Sequence, residues 1–103
     1  MAFTDTKLKP EELAAGTSVC VQLGDAQVGL FHTGEGLFAL DNVCPHRGAP
    51  LHDGFVTDGY VTCPWHQWQF QLQDGQCRNI PGARVPAYAL EVREGTIWIN
   101  LGA

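Results

Sequence analysis

Basic charge is scarce in this chain of 103 residues: six Lys and Arg stand against eleven Asp and Glu, for a net charge of −5. The six are scattered and form no cluster, so neither a nucleic-acid backbone nor an anionic membrane finds a basic patch. Long apolar runs are missing too. No stretch approaches the ~20 residues that a membrane helix needs. Met1–Pro10, which carries Asp5, Lys7 and Lys9, contains no hydrophobic segment of the signal-peptide kind. These absences predict a cytoplasmic protein with no nucleic-acid and no membrane partner. In that compartment thiols stay reduced, and paired cysteines read as metal or catalytic groups. Repeats, low-complexity stretches and linkers are also missing from the sequence, and its length suits one domain over 1–103. What charge there is suits steering toward a basic protein surface.

Helical patterning is nearly absent: only Lys9–Ala15 has any, and Gly16 ends it within two turns. Glycine, by contrast, reaches twelve residues. Most sit at turn-like points: Gly24-Asp25, Gly34-Glu35-Gly36, Asp53-Gly54, Asp58-Gly59, Asp74-Gly75 and Glu94-Gly95. Between them lie short apolar or alternating segments: Ser18–Leu23, Gln27–His32, Leu37–Asp41, Tyr60–Thr62, Trp68–Leu72, Ala87–Arg93 and Thr96–Leu101. Short strands at this spacing predict an all-β fold, a compact antiparallel β-sandwich or barrel, with Asp-Gly favoured in its tight hairpins. Two stretches break the strand pattern, about 42–55 and 63–68.

Those two loops hold the chemistry. Cys44-Pro45-His46 is followed after sixteen residues by Cys63-Pro64-Trp65-His66. Two Cys and two His in paired short spacings are a metal signal. Two matching loops can give each iron of a [2Fe–2S] unit its own pair of like ligands, both thiolates on one and both imidazoles on the other. That mixed set separates Rieske centres from all-Cys ferredoxins. Structural zinc is the alternative, since Zn²⁺ also accepts two Cys and two His. Pro45 and Pro64 fix φ and remove a donor, which leaves neighbouring backbone N–H groups to point at the sulfurs. Cys20 and Cys77 read as small core residues, and neither His32 nor His52 is needed as a ligand. Asp41, Asp53, Asp58 and Asp74 read equally as an acidic docking rim or as turn residues.

The sequence resembles the Rieske ferredoxin family. Cys44-Pro45-His46-Arg47-Gly48-Ala49-Pro50-Leu51 and Cys63-Pro64-Trp65-His66-Gln67-Trp68-Gln69-Phe70 are similar to its two cluster-binding loops. The Asp74-Gly75 turn, Pro81–Pro86 and Tyr88–Gly95 match as well. Gln67 departs from the pattern, because the family usually has Gly after the second His. The resemblance implies a Rieske-type sandwich with a small cluster-binding lobe and one [2Fe–2S] cluster per chain, held by Cys44, His46, Cys63 and His66. It also implies that Asn79–Pro86 is a third loop packed against the cluster, and that both imidazoles lie at an exposed edge.

The implied role is a soluble one-electron carrier with no catalysis of its own. It would pass electrons from an NAD(P)H-dependent flavoprotein reductase to a terminal ring-hydroxylating dioxygenase. The alternative is the small subunit of a cytoplasmic NAD(P)H-dependent nitrite reductase, docking on that enzyme's large subunit. A Rieske domain of a longer oxygenase would need a further mononuclear iron site, for which the chain after Leu101 leaves no room.

High-potential relatives carry a disulfide between the two loops and a Ser and a Tyr donating to the cluster. Ala49 and Trp65 occupy the disulfide positions here, and Trp68 and Phe70 the hydroxyl positions. Reduction adds one negative charge to a partly buried site, and fewer hydrogen bonds to sulfur leave that charge less stabilised. The expected midpoint potential is therefore near the low end of the Rieske range, roughly −150 mV. A redox titration giving a value well above zero would contradict this. A colourless, EPR-silent protein carrying stoichiometric zinc would instead decide for the zinc alternative.

Overall fold

The computed structural model describes residues 3–44, 48–65 and 67–101. Its strands are β1 (Phe3–Asp5), β2 (Ser18–Leu23), β3 (Ala26–Thr33), β4 (Gly36–Asp41), β5 (Phe55–Thr57), β6 (Tyr60–Thr62), β7 (Gln69–Gln71), β8 (Ala87–Arg93) and β9 (Thr96–Asn100). They form an antiparallel six-stranded sheet in the order β1-β9-β8-β4-β3-β2 and a three-stranded sheet in the order β5-β6-β7. No α-helix occurs among the described residues, nor any helix long and apolar enough to cross a membrane. The all-β expectation holds.

Tight turns set the register. Asp58 and Gly59, at φ 52° and 85°, join β5 to β6, and Glu94 and Gly95, at φ 51° and 87°, join β8 to β9. Two successive left-handed residues match the right-handed twist of the flanking strands. Gly24-Asp25 and Gly34-Glu35 turn β2 into β3 and β3 into β4. β2, β6 and β8 have the limits read from the sequence, and β3 and β4 extend that reading by one or two residues. β7 is shorter than expected. The Trp68 carbonyl still accepts the Cys63 N–H at 2.7 Å and the Leu72 N–H still reaches the Gly59 carbonyl, bonds that continue the β6–β7 register one step beyond each end of the strand.

β1 and β5 escaped the sequence reading. Each has only three residues, too few for alternation to show, and each exists because a partner strand captures it: Thr4 opposite Ile99, and Val56 opposite Val61. The 9–15 stretch reduces to a single 3₁₀ turn, Pro10–Glu12. Pro10 opens it where no N–H is needed, and the Glu12 carboxylate accepts the Lys9 N–H at 2.8 Å.

Two cores lie on opposite faces of the long sheet. Val28, Leu30, Ala39, Ile97 and Ile99 build the base core. Phe31 and Leu40 point the other way, into a second core with Leu51, Val61, Phe70, Leu72 and Val85. β3 is thus covered on both sides, which explains why it reads as the continuous run Val28–Phe31 rather than an alternation. The second core contains Cys44 and Cys63. It joins the two sheets directly beneath the loops.

Gly75 closes this region from below. It sits at φ 78°, and a Cβ there would lie 2.0 Å from the Val85 carbonyl oxygen. Gly75→Ala should therefore destabilise the fold by about 2–4 kcal/mol, through left-handed strain and the backbone clash together. Thermal unfolding checks this, and a midpoint equal to the parent's would contradict it.

Candidate metal centre

The first loop leaves β4 at Asp41 and returns through a 3₁₀ turn, Leu51–Asp53. Its neck is closed by backbone bonds: Cys44 N–H to Ala49 O at 2.9 Å, Gly48 N–H to Cys44 O at 2.8 Å, and the Val43–Pro50 bridge. Gly48 takes φ 75°, a conformation that favours glycine. Ala49 and Leu51 are buried and draw the loop base into the second core.

The second loop joins β6 to β7 and is pinned from the 79–86 segment. Asn79 Nδ2 donates to the Gln67 carbonyl at 3.0 Å, and its Oδ1 accepts the Gln69 N–H at 3.1 Å and the Cys77 S–H at 3.2 Å. Val85, from the same segment, is buried in the core that holds Cys44 and Cys63. The 79–86 segment thus reaches the core beneath the thiols through Val85 and clamps the second loop through Asn79. Gln67 itself lies at φ 59°. Its departure from glycine is now intelligible, because this position has the backbone conformation that glycine adopts freely.

Both thiols are 1% exposed. They share that core, and the Cys63 S–H donates toward the Cys44 sulfur, which favours the protonated form of Cys63. The Trp65 N–H points at the Cys63 sulfur and favours its anionic form. Burial outweighs it, and with the Cys44 contact lifts the Cys63 thiol to about 11. His46 and His66, with Pro45 and Arg47, lie outside the described residues. Among the described residues no group of three or more His, Cys, Asp or Glu is placed to hold a metal ion. The structure thus brings together the two thiols of the expected set and does not describe its two imidazoles.

The remaining sequence candidates fall into structural places. Cys20 and Cys77 are partly buried, not fully buried as expected; burial raises the Cys20 thiol, opposed by a hydrogen bond from Asn42. His32 Nδ1 bonds the Leu13 carbonyl at 2.6 Å. His52 meets Asn42 and stands 3.5 Å from Asp53. Asp41 bonds Tyr88, and its carboxyl is raised chiefly by burial. Asp58 shapes the β5–β6 turn, and Asp74 accepts the Gln76 N–H at 3.0 Å. The four aspartates act as local structural residues. Trp65 is 50% exposed beside Cys63, whereas Trp68 packs into the second core, with its ring centroid 6.4 Å from that of Phe70. Of the two, Trp68 packs against the core that holds the thiols. Sequence reasoning missed Asn42 and Asn79 as loop clamps, since their partners lie ten and twelve residues away.

Comparison with known proteins decides the family. The Rieske [2Fe–2S] domain model matches residues 6–89. The chain belongs to the Rieske [2Fe–2S] family. It is 32% identical to the anthranilate 1,2-dioxygenase ferredoxin subunit of Burkholderia cepacia, over 77% of this chain and 74% of that one. A solved structure described as an NADH-dependent nitrite reductase small subunit from Mycobacterium tuberculosis superposes with a TM-score of 0.86. It is 34% identical, over 95% of this chain and 93% of that one. Cholesterol 7-desaturase of Drosophila melanogaster is 37% identical over 89% of this chain, which spans only 24% of that protein's length.

The cofactor of a Rieske domain is a [2Fe–2S] cluster, and the described donors fit it. Two adjacent thiols are shielded from water, and a backbone N–H is aimed at one sulfur. Such a pair tolerates anionic charge once metal replaces the protons.

Gln67→Gly should stabilise the Rieske domain by about 0.5–1 kcal/mol, the left-handed strain relieved less the entropy of glycine. Thermal unfolding of the parent and the variant checks this. A loss of stability would show that the Gln67 side chain holds the loop by contacts that outweigh the strain.

Proposed function

We propose that this Rieske domain is a one-electron carrier whose cluster is held by Cys44, His46, Cys63 and His66. The observation that carries the reading is the pair of buried thiols that share one core at the bases of two separately clamped loops. When bound, the cluster accepts and returns one electron. The chain's own residues do the rest. Cys44 and Cys63 supply thiolate charge, the Trp65 N–H stabilises it, and the second core excludes water from the sulfurs. His46 and His66 complete the set, one from each loop. Nothing in this donor set resembles a nucleophile with its base.

The donor we assign is an NAD(P)H-dependent flavoprotein reductase and the acceptor a terminal oxygenase of the ring-hydroxylating kind. Similarity to the dioxygenase ferredoxin supports this, as does an acidic surface suited to basic partners. The second reading, a nitrite reductase small subunit acting beside its large subunit, is favoured by the 34% identity to the mycobacterial protein. Cytoplasmic location suits either role.

Two measurements test these assignments. His46→Ala and His66→Ala should each abolish the Rieske EPR signal of the reduced protein and lower its iron content, while His32→Ala retains both. Unchanged iron and spectrum in either of the first two would remove that histidine from the set. A pull-down from the native host should recover a flavin reductase with a non-haem iron oxygenase. Recovery of a large flavin- and siroheme-containing subunit would decide for the nitrite reductase role.

A further inference from the structure

Asn42 is the one buried polar residue among the described residues, 1% exposed, and it stands two positions before Cys44. All its hydrogen-bonding groups are engaged. Its N–H donates to Gln27 O at 2.7 Å and its carbonyl accepts the Leu51 N–H at 2.8 Å. Its side-chain Oδ1 accepts the His52 N–H at 2.8 Å, and Nδ2 meets His52 Nδ1 at 2.9 Å. The backbone contact fixes the amide orientation, because a rotated amide would set its NH₂ against the His52 N–H. Nδ2 is therefore the donor, Nδ1 the acceptor, and the neutral ring carries its proton on Nε2, toward Asp53.

The slot for this amide is built from the sheet side. A Cβ on Gly29 would lie 2.7 Å from Asn42 Oδ1, so β3 leaves room there by having no side chain. From β2, the Ser18 hydroxyl donates to the His52 carbonyl at 2.6 Å. The residue that enters the first loop and the residue that leaves it are thus joined twice through side chains, and both are tied to the sheet.

We propose that Asn42 and His52 form a positioning pair that fixes the span of the first loop and so holds Cys44 in the geometry the cluster requires. The proposal rests on the assignment of Cys44 as a ligand. Asn42 also hydrogen-bonds the Cys20 thiol on β2, which is not a ligand position. Asn42 and His52 act through the loop, by preventing its ends from separating. An unsatisfied amide or imidazole in this buried slot is costly: removing the Asn42 side chain deletes both contacts, whereas removing the His52 ring leaves the backbone N–H of position 52 on Oδ1 and takes a partner from Nδ2 alone.

The test is a double-mutant cycle on the cluster-loaded protein, with Asn42→Ala, His52→Ala, the double variant and His52→Gln, whose side-chain oxygen can accept the same bond. Three readouts are followed: iron release to a chelator, EPR line width of the reduced protein, and hydrogen exchange of the amides at 51–53. Asn42→Ala should release iron about tenfold faster, broaden the EPR lines and speed exchange, and His52→Ala should do the same to a lesser degree. The double variant should do no more than Asn42→Ala alone, because that change already removes both contacts. His52→Gln should restore most of the parent behaviour, and together with His52→Ala it decides the matter if Asn42→Ala fails to fold. Additive effects, the double variant exceeding Asn42→Ala by the full His52→Ala factor, or unchanged line width and exchange in the single ones, would overturn the proposal. A parent protein without a Rieske spectrum would refute the ligand assignment instead, and exchange at 51–53 would still decide the pair.

Discussion

Two thiols held together away from water are the constraint on which the rest of this molecule depends. A buried thiolate is costly unless its charge is matched, and burial accordingly pushes the Cys63 thiol above its ordinary value. Metal removes the penalty by replacing the protons, so the site favours the loaded state, and binding contributes to folding. The second core serves this need directly. Ala49, Leu51, Phe70, Leu72 and Val85 enclose the sulfurs, and each loop is held by an Asn from the flanking chain.

The two clamps differ in strength. Asn42 is buried and bridges the first loop to both β3 and the 51–53 turn. Asn79 is exposed and reaches the second loop from a segment that is itself held by Val85. Hydrogen bonds in a dry setting resist competition from water, so the clamp at the base of the first loop is the stronger of the two. The left-handed Gln67 adds to the contrast, since it leaves strain in the second loop. Trp65, half in water next to Cys63, gives this side an apolar face toward solvent.

Much of this was legible in the sequence, for identifiable reasons. Ser18–Leu23 and Ala87–Arg93 are long enough for strand character to show, and the glycine-bearing turns punctuate them. Cys44 and Cys63 stood out by spacing alone. β1 and β5 did not, being three-residue strands defined by their partners. Nor did the roles of Asn42 and Asn79, because a polar residue near a loop carries no mark of what it will meet after folding. Cys20 and Cys77 were read from the average habits of cysteine, and both sit half-buried beside an asparagine amide. Gln67 was visible as a departure from the Rieske pattern, but only its φ explains what the departure costs.

The central claim is that two thiolates and two imidazoles hold one cluster. Pulsed EPR on the reduced protein, with and without ¹⁵N-labelled histidine, tests it most directly. The account predicts strong coupling of the cluster spin to two histidine nitrogens, lost one at a time when His46 or His66 is replaced. A spectrum with no coupled nitrogen, or an EPR-silent protein containing zinc, would contradict it.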